Sequence, residues 1–136
     1  MIKKKLDNKK PKELKVKPRN AGTMTESAFW SFIRAALRQK SRWWKPIGLA
    51  KAKAKRPYKG PIRRQKFEYQ CNQCKHWFPD KEISVDHIVP VGSLNCKEDL
   101  PGFVSRLFCE VEGLQCLCNE CHDLKTQKEK DDNRTK

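Results

Sequence analysis

Two Cys-x-x-Cys pairs, Cys71 with Cys74 and Cys118 with Cys121, constrain this chain more than any other feature. Cysteines at this spacing let two thiolates converge on one ion from a single turn, and two such pairs complete a tetrahedral site of the kind that zinc occupies. The fold must therefore bring two distant segments together. The 43 residues between Cys74 and Cys118 exceed the spacing of a compact zinc finger, so the ion is expected to clamp a larger motif. Seven cysteines are an odd number, which argues against a disulfide framework, and Cys96, Cys109 and Cys116 are left over as buried or free thiols. Cys116 lies two residues before Cys118, and a strand would hold the two about 7 Å apart, too far for a convergent turn.

The patterning around the clamps is mixed. FEYQCNQCKHWF, residues 67–78, reads as a strand, a tight turn and a returning strand. LQCLCNECHDLKTQKEK, residues 114–130, reads as a short strand leading into a helix that begins near Asn119. Between them lies ISVDHIVPVG, residues 83–92, in which Ile83, Val85, Ile88, Val89 and Val91 predict a largely buried strand. Asp86 and His87 are costly in such a strand unless something compensates them. His122 follows Cys121 on the first turn of the expected helix, well placed to meet Asp86. One carboxylate and one imidazole with open positions suit a catalytic divalent ion (Mg²⁺, Mn²⁺, Ni²⁺ or Zn²⁺), with a phosphate oxygen and waters completing its shell. His87 falls on the opposite face of a regular strand and needs a local distortion to reach that site, where an imidazole can take a proton from an attacking water. Lys125, three residues after His122, is either a phosphate contact or a solvated surface lysine. A lone Asp-His dipeptide is more often a surface or satisfied core pair; His76 stays in that ordinary class, and only the clamp and His122 lift Asp86 and His87 out of it.

The N-terminal half has a different character. Residues 1–70 carry 22 Lys/Arg against 4 Asp/Glu, whereas residues 71–136 carry 9 against 12, so the whole net charge of +15 lies in the first half. Such asymmetry marks a polyanion-binding region joined to another unit, and nucleic acid is the commonest polyanion. Residues 1–22 read as a disordered basic arm, either solvated or in contact with DNA. A basic amphipathic helix follows, with Thr23 and Glu26 at capping-box spacing and Phe29, Trp30, Ile33, Ala36 and Leu37 recurring at helical intervals. Arg34 and Arg38 lie one turn apart on another face of it. AKAKAKR, residues 50–56, is expected to continue as a second short helix, and PYKGPIRRQK, residues 57–66, as an extended linker. The organisation expected is thus an arm over 1–22, a basic helical DNA-binding region and linker over 23–66, a zinc-clamped domain over 67–130 and a disordered tail over 131–136. No apolar run approaches the length of a membrane span, and the N-terminus lacks the apolar segment of a signal peptide, so a cytoplasmic protein is expected.

The run from Cys71 to Lys125, with its CxxC, VDHIVPV, LQCLCNECH and DLKT, resembles the HNH family of endonucleases, in particular the small zinc-bearing type common among bacteriophage and prokaryotic proteins. FWSFIRAALRQKSRWW and RPYKGPIRRQKFEYQC also look like the N-terminal part of phage HNH proteins. The resemblance implies an α+β fold with a ββα-metal core, in which a β-hairpin and a helix enclose one divalent ion, here preceded by the basic helical region. It implies that His87 activates the water, that Asp86 and His122 hold the catalytic ion, and that Cys71, Cys74, Cys118 and Cys121 hold a structural zinc. One position departs from the family pattern: its middle motif residue, an asparagine just before the LQxLC segment, falls at Gly113, where a water, a backbone group, or Glu112 or Asn95 has to take its place. Glycine has no side chain to ligate, and an inactive DNA-binding member is consistent with it.

The expected activity is metal-dependent hydrolysis of DNA phosphodiester bonds, leaving a 5′ phosphate as in the family, by a phage-encoded protein in a bacterial host cell. Arg34, Arg38, Arg63, Arg64 and Lys66 are the expected contacts to the DNA backbone, supplying salt-sensitive affinity and little sequence information. A single site with no dimerisation signal predicts nicking by a monomer, with paired nicks for a double-strand break. Two alternatives remain: a zinc-stabilised DNA-binding protein without catalysis, and a component of a phage DNA-packaging machine.

Overall fold

The computed structural model describes residues 16–134. Most of the arm expected over residues 1–22, and the last two residues of the expected tail, lie outside them. The part of the arm that is described holds a turn: Arg19 bridges to Met24, and its guanidinium pairs with Glu26 at 3.0 Å and stacks 4.2 Å from the centre of the Phe29 ring.

Helix α1 (Glu26–Ser41) is capped by Thr25, whose side chain accepts from the Ala28 N–H at 3.1 Å. The capping box expected from Thr23 and Glu26 does not form. Thr23 donates to the Asn20 carbonyl within the preceding turn, and Glu26 is taken by Arg19 and the Trp30 indole. The turn thus moves the cap two residues on. Helix α2 (Lys45–Lys53) carries Pro46 in its first turn, where the missing N–H costs nothing. It ends earlier than the helix expected over 50–56, because β1 (Lys55–Pro57) pairs antiparallel with β2 (Phe67–Gln70). A further bond from the Tyr58 N–H to the Lys66 carbonyl closes the expected linker into a basic hairpin loop. Strand β3 (Trp77–Phe78) pairs with β2, as the strand-turn-strand pattern around the first cysteine pair predicts.

Strand β4 (Ile83–His87) is half the length expected from the apolar run. Pro90 has no N–H for a ladder and Gly92 sits at φ +82°, so the chain turns away, leaving Ile88 and Val89 45% and 62% exposed while Val91 is buried elsewhere. The chain then builds α3 (Leu100–Leu107) and returns as β5 (Leu114–Cys118), antiparallel to β4 with Asp86 opposite Gln115 and Ile83 opposite Cys118. Helix α4 (Asn119–Arg134) follows at once, and it runs through the first residues of what reads as a disordered tail.

Two apolar clusters hold this mixed α+β chain together. One gathers Trp30 of α1, Val91 and Leu94 of the excursion, and Phe103 and Leu107 of α3, with Ile33 and Leu37 packed against it. Phe103 is fully buried there, which contributes roughly 1.5–3 kcal/mol. The other cluster gathers Cys71, Ile83, Cys116, Leu117 and Cys118 beneath the β4–β5 pair. Among the described residues no helix is long and apolar enough to cross a membrane.

Candidate metal centres and cavity

The Sγ atoms of Cys71, Cys74, Cys118 and Cys121 all lie within 4.8 Å of one another. Four sulfurs at about 2.3 Å from a zinc ion stand about 3.8 Å apart, and the 4.0 Å between Cys74 and Cys118 Sγ is close to that value. The four cysteines can therefore hold a metal ion. The turn that presents Cys71 and Cys74 is fixed by the Cys71 N–H on the His76 carbonyl, with Lys75 at φ +65°, and is joined to β5 by the Asn72 N–H on the Cys116 carbonyl at 2.8 Å. Cys118 closes β5, and Cys121, on the first turn of α4, donates its backbone N–H to the Cys118 sulfur at 3.5 Å.

The thiols of Cys71, Cys74 and Cys121 do not ionise alike. Burial pushes the Cys71 thiol up, but the N–H groups of Cys118, Cys74 and Gln73 outweigh it and hold Cys71 at about 6. The bond to the Cys118 sulfur, with burial, pushes Cys121 up to about 12. At Cys74 the His76 N–H favours the thiolate, yet burial and the Cys71 and Cys118 sulfurs outweigh it and raise the thiol above its ordinary value. The remaining cysteines behave as expected: Cys116 is buried, with its thiol towards the Ala50 carbonyl, Cys109 is half-buried and Cys96 is exposed, and none of the seven forms a disulfide.

A cavity of about 780 Å³ opens where β4 meets α4, and Asp86, His87, His122, Lys125, Arg38 and Glu129 all line it. Asp86 Oδ1 lies 3.8 Å from His122 Nε2. Two bonds of about 2.1 Å to a shared cation span at most about 4.2 Å, so both atoms are within reach of one cation. Asp86 Oδ2 is occupied otherwise, by the Lys125 ammonium at 2.7 Å and the Gln115 amide at 3.4 Å. Lys125 also donates to the His87 carbonyl at 2.8 Å and pairs with Glu129 at 2.8 Å, one turn along α4. Burial lowers the Lys125 ammonium, but Asp86 and Glu129 outweigh it and raise Lys125 above the ordinary lysine range. The ammonium is therefore charged at neutral pH and compensates the half-buried Asp86 carboxylate.

His87 and Asp86 share this cavity because the strand ends at His87. The His87 Nε2 atom lies 3.0 Å from the Leu107 carbonyl at the end of α3. A carbonyl only accepts, so Nε2 carries the proton, and in the neutral ring the lone pair is on Nδ1.

The other expected residues separate into groups. Arg38 lines the cavity with its guanidinium 5.9 Å from the Phe103 ring centre, whereas Arg34 is half-buried on α1. Arg63, Arg64 and Lys66 are exposed on the β1–β2 loop. Lys125, read as a phosphate contact or a solvated lysine, is instead turned inward onto Asp86. At Gly113 a Cβ would lie 2.9 Å from Cys109 Sγ, so an asparagine there would require the Cys109 side chain to shift. The Gly113 carbonyl accepts from the Ile88 N–H at 2.9 Å, a backbone closure of the β4–β5 mouth. Neither Glu112 nor Asn95 lines the Asp86 cavity: Glu112 lies in a separate hollow of about 360 Å³, and the Asn95 N–H is bonded to Asp99. Sequence reading passed over Gln115, Glu129 and the Leu107 carbonyl. Glu129 had a signal, its seven-residue spacing from His122 on one helix face; the other two depend on cross-strand and long-range pairing. No family model, curated protein or solved structure matches the chain.

Proposed function

We propose that this chain is a metal-dependent endonuclease of the HNH type that hydrolyses DNA phosphodiester bonds, with a zinc ion held by Cys71, Cys74, Cys118 and Cys121 as its structural clamp. The observation that carries this reading is the approach of Asp86 Oδ1 to His122 Nε2 at 3.8 Å in a cavity that His87 also lines. A divalent cation held by Asp86 and His122 would supply charge neutralisation at the scissile phosphate and at the leaving 3′ oxygen. His87 Nδ1 takes a proton from the attacking water while the Leu107 carbonyl holds its Nε2–H. Lys125 compensates and orients the Asp86 carboxylate. Arg38, from outside the β4–β5–α4 unit, presents a cation on the cavity wall that suits a phosphate oxygen, and Arg63, Arg64 and Lys66 suit the DNA backbone further out.

The test is conversion of supercoiled plasmid with Mg²⁺, Mn²⁺, Ni²⁺ or EDTA by the wild type and by His87→Ala. Nicking should require the divalent ion and fall by about 10²–10⁴-fold in the variant, with DNA affinity retained. A zinc-loaded wild type that binds DNA but cuts with none of these ions would point to the second reading, a DNA-binding protein without catalysis. Gly113, which offers no side chain at the position of the family's motif asparagine, favours that second reading.

A further inference from the structure

Asp86 is joined by a series of side-chain hydrogen bonds to the turn that carries Cys71 and Cys74. Gln115 stands directly opposite Asp86 on β5 and donates through Nε2 to Asp86 Oδ2 at 3.4 Å. Its Oε1 accepts from Asn72 Nδ2 at 2.9 Å, and Asn72 Oδ1 accepts from Lys75 Nζ at 3.1 Å. Asn72 and Lys75 belong to the turn that carries Cys71 and Cys74. An amide has one donor end and one acceptor end, so fixing Oε1 on Asn72 obliges Gln115 to present its NH₂ to Asp86. With Gln115 and Lys125 both on Oδ2, the free lone pairs of the carboxylate are those of Oδ1, the atom that faces His122.

We propose that Gln115 is a positioning residue for Asp86, and that Asn72 ties it to the cysteine turn so that the clamp sets the orientation of the cation-binding carboxylate. This rests on the cation-binding reading of Asp86 and His122. Groups that orient a metal-binding carboxylate from outside affect affinity by about 10- to 100-fold when removed, and a relay has a further signature. If Asn72 acts only through Gln115, its removal costs nothing once Gln115 has lost its amide.

Mn²⁺ binding to the zinc-loaded protein, followed by the electron paramagnetic resonance of the free ion, reads this directly without cleavage. His122→Ala identifies the site by abolishing the binding. Gln115→Met, which keeps the volume and removes the amide, is expected to weaken Mn²⁺ by about 10-fold or more. Asn72→Ala should weaken it in the same direction, and the double variant should match Gln115→Met alone. Equal thermal midpoints show that the variants are folded. Wild-type binding that Gln115→Met leaves unchanged overturns the positioning role and spares the site; losses that multiply in the double variant overturn the relay from the clamp. A wild type that binds no Mn²⁺ overturns both this inference and the cation-binding reading beneath it.

Discussion

At residue scale, Asp86 and His87 are tolerated at the end of a partly buried strand because each has a specific partner. Lys125 compensates the carboxylate and the Leu107 carbonyl takes the imidazole proton. The convergence of Asp86 and His122 was legible in the sequence, since the clamp fixes where α4 begins. The inward turn of Lys125 was not, because periodicity places a residue on a helix face without saying which acceptor on another strand captures its tip. Gly113 is the other residue whose meaning comes from a neighbour. Gly113→Asn should destabilise the fold by about 1–3 kcal/mol through overpacking against Cys109, and Cys109→Ala in the same chain should restore most of the loss. Thermal unfolding of the single and double variants measures that coupling; additive losses would mean that Cys109 is not the obstacle.

At the scale of elements, the start of α1 turns on a choice between two threonines two residues apart. The sequence offers capping-box spacing at Thr23, but the Arg19–Met24 bridge holds Thr23 inside a turn and passes the cap to Thr25. Thr25→Ala is therefore expected to cost about 1 kcal/mol and Thr23→Ala less, read as the difference in their denaturation midpoints; the reverse order would place the helix start wrongly. The two cysteine turns and the strand-to-helix junction at Asn119 were legible because each joins a spacing rule to a change in hydrophobic period. Helix α3 was missed although Leu100, Phe103, Val104 and Leu107 keep helical spacing, because Pro101 and Gly102 within it read as breakers. Proline is harmless in a first turn, and the helix is short enough for that to decide. Strand β1 was missed for the opposite reason: its three residues are all exposed and carry no buried face to betray them.

Across the whole molecule, the four clustered cysteines join β2–β3 to β5 and α4, so an ion held by them would hold the fold. Protons compete with that ion. With Cys74 raised and Cys121 at about 12, both thiols are protonated at neutral pH and must release a proton on zinc binding, while Cys71 at about 6 is already a thiolate. Affinity should therefore fall with decreasing pH, by at least about 100-fold per unit between pH 8 and 6 for two protons, and more steeply below 6 as Cys71 also protonates. Competition with a chelator across that range checks this, and an affinity flat in pH would remove the cysteines as ligands. Zinc removal should unfold the protein or lower its midpoint sharply.

Residues 88–113 leave β4 and return to β5 through a single rung, the Ile88 N–H on the Gly113 carbonyl. Their two ends are thus neighbours in space, which makes the excursion a module that could be exchanged without disturbing the hairpin register or the clamp. Its α3 is what α1 packs against, so the packing surface beneath the helix bearing Arg38 would change with it. The replacement has one obligation to meet: it must return a carbonyl to the place where Leu107 now holds His87.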